Sequence, residues 1–466
     1  MSSVEIMPVT DRILSEGAMT YAVRQLARRA GVTAEQFREW RIEHQLGQTT
    51  IFPFPGNPQR VVFPHAPDDY WQRIRSGNFS VQRVGWPHGS LAEQRAVVDF
   101  VIPFADRAPA ELFTFSHGGA ECSVDLLASV ALTLSRYEET LPGRRDRHGR
   151  FPAEAGLAVQ HGFALRPVVD EYGLALQSVL EHLLPGWQPE PRQLQVNLTH
   201  DVDEIGIPFR ARLAARRTVR GGAAAAVREV LAGFGSRPTA LSAVLETVRM
   251  AQSRNLRSSV YWKASPAGEF DSGYDVRDRR VEQVIQNLAE SGAELGVHPG
   301  YDTYANRELL GEEIGRLRKA LGGSQLGGRQ HFLRWSPQTW LDWEACGLAY
   351  DSSVGYSECL GFRAGTCYPY RPWLLEQDRE ADLLEVPLIA MDCTLTGPMG
   401  LPGEQCLEPL RKCAAACESV GGVFTLLWHT DSILEPVYGD TYNRILDLLA
   451  GRTNFRWQQD LAEGYA

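Results

Sequence analysis

The chain has 466 residues, of which 44% are hydrophobic and 22% are charged, a composition typical of a globular protein with two or three domains. Its net charge is −10 and its pI is near 5.7, which argues against nucleic acid or an anionic membrane as the main partner. Residues 1–12 lack the basic start and apolar core of a signal peptide, and no stretch reaches the length of a membrane span. We therefore expect a cytoplasmic protein without a membrane partner.

The eight cysteines include no Cys-x-x-Cys pair, which favours reduced, mostly buried thiols. Cys413 and Cys417 are one helical turn apart, so the alternative that they form a metal-binding or redox pair remains.

Residues 1–50 are predicted to form a small helical unit. Two short helices should flank Ala30-Gly31-Val32-Thr33, with Gly31 at the turn and Thr33 as the cap of the second helix. This pattern resembles the helix-turn-helix of small bacterial regulators. The segment holds six arginines and six acidic residues, whereas phosphate contacts need a positive face. We therefore favour a structural or docking helical pair over DNA binding.

Residues 51–190 are predicted to form a mixed α/β accessory domain. Residues 98–104 have the pattern of a strand, and 123–139 and 168–184 have helical periodicity. The prolines Pro185, Pro189 and Pro191 indicate a linker to the last domain.

Residues 191–466 alternate predicted strands with predicted helices. The strands are expected at 194–198, 257–262, 294–297, 332–334, 383–388 and 423–428. The helices are expected at 240–254, 279–291, 307–321, 337–346 and 409–419, with a further helical insertion at 209–234. Strict alternation implies a parallel sheet with right-handed crossovers, and this number of units implies a (β/α) barrel.

Side chains that can bind a metal ion or transfer a proton follow several of these strands. Asp201 and Asp203 alternate across the end of the first strand, so both can point to one place. His298 follows the third strand, and Arg334 and His429 follow later ones. Strand ends of a barrel meet on one face, where two carboxylates and an imidazole could hold a divalent ion with an open position for water. Taken singly, an Asp-x-Asp is more often a turn or a helix cap, and such a histidine is more often a loop residue.

The order of these motifs resembles that of the polysaccharide deacetylase family, also called carbohydrate esterase family four, whose fold is a distorted (β/α) barrel. The five matching motifs are Thr199-His200-Asp201-Val202-Asp203, Val297-His298-Pro299-Gly300-Tyr301-Asp302, Phe332-Leu333-Arg334-Trp335 followed by 347–353, Leu384-Glu385-Val386-Pro387-Leu388 with Asp392, and Leu427-Trp428-His429. Residues 136–172 also resemble a region found ahead of uncharacterised bacterial members of this superfamily.

The resemblance implies roles for single residues. Asp201 would be the catalytic base, held by Arg334, and His429 would be the general acid, kept charged by a carboxylate such as Asp392. Asp203, His298 and Asp302 would bind the metal. Many family members carry a second histidine where Asp302 stands, and an aspartate there makes harder metals more favourable. Zinc is the expected ion, with other divalent ions open.

An aromatic and arginine-rich loop at 361–373 is the candidate for substrate contacts, because flat rings stack on sugars and arginines bind acidic groups. The predicted contact residues are Tyr301, Arg363, Tyr368, Tyr370, Arg371 and Trp373. The alternative is a proline-rich loop that packs its own aromatic side chains over the barrel.

The sequence therefore predicts a metal-dependent amidohydrolase that removes an N-acyl group, most simply acetyl, from an amino sugar or a sugar-containing intracellular precursor. Two alternatives remain: hydrolysis of a non-sugar C–N bond in a cyclic amide or ureide, or an inactive binding or regulatory protein that uses the N-terminal helices. The expected partner is a small-molecule or glycan substrate, and the oligomeric state stays open.

Overall fold

The computed structural model describes residues 14–85, 99–206, 239–322, 325–401 and 403–458. Within these ranges the chain has the mixed α/β class that the sequence predicts. The helical insertion predicted at 209–234 lies outside the described residues. Among the described helices, none combines the length and the apolar character needed to cross a membrane.

The N-terminal unit contains helices α1 (Glu16–Arg29) and α2 (Ala34–Arg38). Gly31 turns the chain between them at φ +80°, and Thr33 caps α2 through a reciprocal bond pair with Gln36, as the sequence predicts. Arg28 and Arg29 are each only 2% exposed. Because Arg28 and Arg29 face the protein interior and Arg24 pairs with Glu380, the structure does not support a DNA-binding helix-turn-helix.

The accessory region consists of small sheets and short helices. Its elements are β1 (Arg41–Gln45), β2 (Gln48–Phe52), β3 (Arg60–Pro64), α3 (Asp68–Arg75), β4 (Val81–Gly85), β5 (Asp99–Pro103), β6 (Phe113–Ser116), β7 (Gly119–Cys122), α4 (Leu126–Leu134), α5 (Leu157–Gln160) and α6 (Val168–Leu183). One sheet has the order β1-β2-β3-β7-β6, and β4 pairs with β5. The β1–β2 hairpin spans residue 50, where the first predicted boundary falls.

Helix α1 packs closely against the accessory region. It contacts α4 and α6, and a Cβ atom at Gly173 of α6 would lie 2.2 Å from Cβ of Arg29. The absence of a side chain at Gly173 therefore sets how closely the two helices approach.

The C-terminal region alternates strands and helices. Its strands are β8 (Gln195–Val202), β9 (Ser258–Trp262), β10 (Glu294–Val297), β11 (Tyr350–Asp351), β12 (Trp373–Leu374), β13 (Arg379–Glu380), β14 (Leu384–Glu385), β15 (Ala390–Met391), β16 (Val423–Leu427) and β17 (Thr453–Asn454). Its helices are α7 (Ala240–Gln252), α8 (Arg279–Glu290), α9 (Arg307–Leu321), α10 (Pro337–Ala345), α11 (Asp392–Thr396), α12 (Leu407–Val420) and α13 (Pro436–Leu449).

A row of parallel strands forms the centre of this region. Its order is β15-β16-β8-β9-β10, with β17 also paired to β8. Gly328 bridges β10 at Val297 and β11 at Asp351, and β11 pairs with β14, so the parallel row extends beyond β10. Among the described strands no pairing of β14 with β15 closes the row, and barrel closure stays a prediction.

The strand predicted at 332–334 is wrong. Residues His331–Leu333 form a 3-10 turn, in which Phe332 and Leu333 adopt left-handed φ angles of 60° and 51°. The residue that pairs like a strand is Gly328, several positions earlier. A Cβ atom at Gly328 would lie 1.8 Å from the carbonyl oxygen of Val297, so only glycine fits this close pairing.

Candidate metal centre

The candidate site lies where the parallel strands end. Asp201 and Asp203 lie at the end of β8, and the segments after the other parallel strands supply the remaining groups, which are Lys263, His298, Arg329, His331, Asp392 and His429. The carboxyl ends of parallel strands are the usual place for ligand binding in α/β folds.

Three potential metal ligands converge here. Oδ1 of Asp203 lies 3.2 Å from Nε2 of His298 and 3.3 Å from Nε2 of His331. The three ligating atoms all fall within 4.8 Å of one another. Two imidazoles and one carboxylate form a common ligand set for a hydrolytic zinc site, with a position left for water.

Both histidines are oriented by their other ring nitrogen. Nδ1 of His298 lies 2.7 Å from the carbonyl oxygen of Arg329, and Nδ1 of His331 lies 2.9 Å from Oδ1 of Asp271. Such partners keep the proton on Nδ1 and leave Nε2 free to bind a metal. Nε2 of His298 and Oδ1 of Asp203 are buried and make no hydrogen bond to any described residue. These unsatisfied atoms fit a divalent cation.

Lys263 adds a buried positive charge to the site. Its Nζ lies 3.3 Å from Oδ1 of Asp203 and 3.2 Å from Oδ1 of Asp271. Burial alone would raise the pKa of Asp203, but the charges of Lys263 and His331 and the close contacts with both histidines hold it well below its usual range. Burial would lower the pKa of Lys263, yet the two carboxylates raise it. Both Asp203 and Lys263 are therefore charged at neutral pH.

Asp201 is paired with Arg329. The guanidinium is fully buried, and its Nη1 donates to Oδ1 of Asp201 at 3.0 Å. Its Nε and Nη2 donate to the carbonyl and hydroxyl oxygens of Ser352 at 2.9 and 3.0 Å. With its other two donors fixed by Ser352, Arg329 holds Asp201 in one orientation.

The structure places Arg334 away from Asp201, which corrects the sequence-based assignment. Its Nε donates to the carbonyl oxygen of His148 at 2.8 Å, and its guanidinium stacks over the ring of Tyr301 at 3.9 Å. The strand that was expected just before Arg334 is a turn, and the strand-like pairing occurs at Gly328. The arginine that follows the strand end is therefore Arg329.

His429 and Asp392 form a second polar pair. Nδ1 of His429 lies 2.6 Å from Oδ1 of Asp392, and Nε2 lies 3.7 Å from Oδ2 of Asp203. Burial would lower the pKa of His429, but Cys393 and the Asp392 carboxylate together raise it well above its ordinary value. A charged imidazolium thus presents Nε2 toward the metal ligands, as a general acid requires.

Asp302 does not join the ligand cluster. Its side chain is exposed in the 3-10 turn Tyr301–Thr303, while His331 takes the place expected for a second imidazole. The sequence reasoning missed His331, Arg329, Lys263 and Asp271. The signal for two of them was the Gly327-Gly328-Arg329-Gln330-His331 run, because paired glycines allow a close strand contact just before the arginine and the histidine.

The aromatic loop predicted to contact substrate is largely interior. Arg363 forms a buried ion pair with Glu139, and the hydroxyl groups of Tyr368 and Tyr370 donate to the carbonyl oxygens of Val420 and Leu134. Trp373 is 8% exposed and packs against Tyr21 of α1, and Arg371 donates to the carbonyl oxygen of Asp382. The loop therefore packs its own side chains, which was the alternative considered. Tyr301 is half-buried at the rim of the site, with its hydroxyl 3.0 Å from Nδ1 of His148.

Comparison with known proteins gives one partial family match. Residues 70–185 match a family of unknown function, DUF7033. A comparison with curated proteins gave no significant match.

Several solved structures resemble about 60% of the chain. One is named as a polysaccharide deacetylase from Mycobacterium smegmatis, with 16% identity, 60% of this chain and 92% of that chain covered, and a TM-score of 0.41. A probable polysaccharide deacetylase from Pseudomonas aeruginosa PAO1 has 18% identity, 59% and 91% coverage, and a TM-score of 0.41. Puue allantoinase has 17% identity, 59% and 91% coverage, and a TM-score of 0.40. At TM-scores of this size, the likeness does not define the activity of this chain.

Proposed function

We propose that this chain is a metal-dependent hydrolase that removes an N-acyl group, most simply acetyl, from an amino sugar or a sugar-containing precursor. The observation that supports the proposal is the convergence of three ligand side chains and two polar pairs at the strand ends, namely Asp203, His298, His331, Asp201–Arg329 and Asp392–His429. Amide hydrolysis needs an activated water, stabilisation of an oxyanion and a proton for the leaving nitrogen, and these groups can supply all three.

Each protein group has a defined task in this proposal. A divalent ion, proposed as zinc, would lower the pKa of water and polarise the acyl carbonyl when it is bound to Asp203, His298 and His331. Asp201, fixed by Arg329, takes a proton from the attacking water. His429 gives its Nε2 proton to the departing nitrogen, since its Nδ1 is occupied by Asp392.

The sugar part of the proposal is supported by the order of the sequence motifs that contain Asp201, Asp203, His298, Asp392 and His429, residues that lie together at the strand ends. The same site could hydrolyse a cyclic amide or ureide, and a substrate panel separates the two classes. A regulatory protein that contacts DNA through its N-terminal helices is disfavoured, because Arg28 and Arg29 are buried.

The test is acetate release by zinc-loaded protein from N-acetylated sugars, nucleotide sugars and glycosides. Asp201→Asn should lower kcat by roughly 10²- to 10⁴-fold while zinc stays bound, because it removes the base and leaves the ligands. Asp302→Asn is the matched control and should keep full activity. Zinc-loaded wild-type protein that releases no acetate from any of these compounds would refute N-deacetylation and make cyclic amides the next substrates to assay.

A further inference from the structure

The accessory region supplies a braced turn, residues 146–150, at the edge of the metal centre. Oδ1 of Asp146 accepts the backbone N–H groups of His148 and Arg150 at 2.8 and 2.9 Å, and Oδ2 accepts Nε of Arg150 at 2.8 Å. Gly149 adopts φ +78° and donates its N–H to the carbonyl oxygen of Asp146 at 3.0 Å. These internal bonds fix the turn before it contacts anything else.

The braced turn contacts both segments that follow the histidine ligands. Nη1 of Arg150 donates to the carbonyl oxygen of Phe332 at 2.8 Å, directly after His331. Arg334 donates back to the carbonyl oxygen of His148 at 2.8 Å. Nδ1 of His148 lies 3.0 Å from the hydroxyl oxygen of Tyr301, which stands three residues after His298.

Aromatic packing encloses the same contact. The ring of His148 lies 4.9 Å from the ring of Phe332 and 5.5 Å from that of Phe270, measured between centroids. Phe270 is the neighbour of Asp271, which orients His331, and its ring lies 4.2 Å from that of Tyr301. The turn thus packs on Phe332, which follows His331, and on Phe270, which precedes Asp271.

The backbone after His331 needs such support. Phe332 and Leu333 are consecutive non-glycine residues with φ angles of 60° and 51°. Left-handed backbone is unfavourable for residues with a Cβ atom and persists where surrounding contacts fix it. The Arg150 guanidinium bonded to the carbonyl oxygen of Phe332 is one such contact, and it comes from outside the C-terminal region.

We propose that residues 146–150 are a functional part of the metal centre, and that Arg150 is a positioning residue that holds the His331 turn so that Nε2 faces the ion. This gives the accessory region, which matches the family of unknown function, a role in metal binding. The inference rests on the metal ligands of the proposed function and not on its substrate.

The test measures zinc affinity of the full-length chain by competition with a chromophoric chelator. Arg150→Met should weaken zinc binding by about 10- to 100-fold, the usual effect of losing a group that orients a metal ligand. The visible absorption spectrum of the cobalt-substituted variant should differ from that of wild type, because the ligand geometry changes. Excess zinc should restore acetate release, since no group that touches substrate is removed.

Two further variants keep the test decisive. Arg144→Met removes an exposed ion pair with Glu154 from the same region, at side-chain exposures of 77% and 66%, and should leave zinc affinity unchanged. Arg150→Lys keeps a charged donor near Phe332 and should weaken zinc binding less than Arg150→Met does. If Arg150→Met fails to fold, Arg150→Lys and Arg334→Met are compared with Arg144→Met instead. Each of the two should bind zinc more weakly than Arg144→Met does.

The outcomes separate the two proposals. Wild-type zinc affinity and an unchanged cobalt spectrum in the Arg150 variants would overturn the positioning role and leave the proposed function standing. Zinc binding by wild type without acetate release would refute the proposed function and leave the positioning role measurable. Wild-type protein that binds no zinc would overturn both.

Discussion

Lys263 is a residue-scale feature with a measurable consequence. Its ammonium contacts the same Asp203 oxygen that both histidines face. Two unit charges 4 Å apart interact by roughly 4 kcal/mol at an effective dielectric constant of about 20. We therefore expect a bound metal ion to compete with this ammonium for Asp203, so that Lys263 would lower the affinity of the site for metal and stabilise the metal-free protein.

We predict that Lys263→Met lowers the Tm of the metal-free protein and increases the rise in Tm that zinc produces. Two carboxylates lose their counter-charge, and the ion replaces it. Thermal unfolding with and without zinc measures both effects. An equal zinc-induced rise in the variant and the wild type would show that Lys263 and the metal do not compete.

The buried Asp351 carboxyl group should make the stability of the folded protein depend on pH. Burial raises the pKa of Asp351 to about 7, and the neighbouring Glu385 is also buried, with its pKa raised. A carboxyl group that binds its proton more tightly when folded favours the folded state below its ordinary pKa of 3.8. That contribution to stability falls as the pH rises from about 4 to about 7 and then levels off.

Asp351→Asn should remove this contribution, because asparagine keeps an acceptor for Ser353 and has no charge. The stability of the variant relative to wild type should therefore increase between pH 4 and pH 7, measured by urea denaturation at a series of pH values. The difference between the two proteins is the relevant quantity, since the lowered pKa values of Asp203 and Asp392 give the opposite slope in both. A difference that does not change with pH would contradict the assignment.

At the scale of elements, helix α1 is joined to two other parts of the chain by one buried ion pair. Nε of Arg29 lies 2.6 Å from Oδ1 of Asp170 in α6, and both side chains are 0% exposed. Nη2 of Arg29 donates to Thr366 at 2.9 Å, and Asp170 accepts the backbone N–H of Cys367 at 2.8 Å. The N-terminal helix is thus part of the protein core.

We predict that Arg29→Met lowers the free energy of unfolding by about 3–5 kcal/mol, because it leaves the Asp170 carboxylate buried without its partner. Arg249→Met is the control, since Arg249 and Glu246 are 70% and 56% exposed and 3.8 Å apart, and the change should cost at most ~1 kcal/mol. Urea denaturation measures both. Equal losses in the two variants would show that α1 is not held by this pair.

Periodicity predicted some elements to the residue and failed at one short strand. The helix predicted at 307–321 matches Arg307–Leu321, and the strand predicted at 294–297 matches Glu294–Val297. The strand predicted at 332–334 failed because its apolar residues pack in a turn, while the true parallel contact is a single glycine without a side chain to signal it.

That error also explains one of the two wrong assignments at the site. The principle that polar groups follow strand ends led to Asp201, Asp203, His298 and His429, and the family resemblance added Asp392. The structure brings these five residues together. Because that strand was misplaced, Arg334 was assigned in place of Arg329. Asp302 was assigned from its position four residues after His298, where many members of the family carry a second histidine, and the structure places His331 there instead. Lys263 directly follows β9 and so obeys the same principle, although it was not singled out. Asp271 reaches the site through tertiary packing, and no strand end marks it.

At the scale of the whole molecule, the order of the motifs along the chain carried more information than its composition. Composition and charge indicated only a globular protein with two or three domains. The division of the chain at residues 50 and 190 stays a prediction. The polar contacts of Arg29, Arg150 and Arg363 each join residues before 190 to residues after it. We therefore expect the C-terminal region to depend on the preceding residues for a correctly formed metal centre.

The measurement that tests the central claim most directly is the metal content of the purified protein after zinc loading and dialysis. We predict about one zinc ion per wild-type chain and per Asp302→Ala chain, and a large loss of bound zinc in His331→Ala, because His331 supplies a ligand and Asp302 does not. Unchanged zinc content in His331→Ala, or its loss in Asp302→Ala, would contradict the metal centre described above.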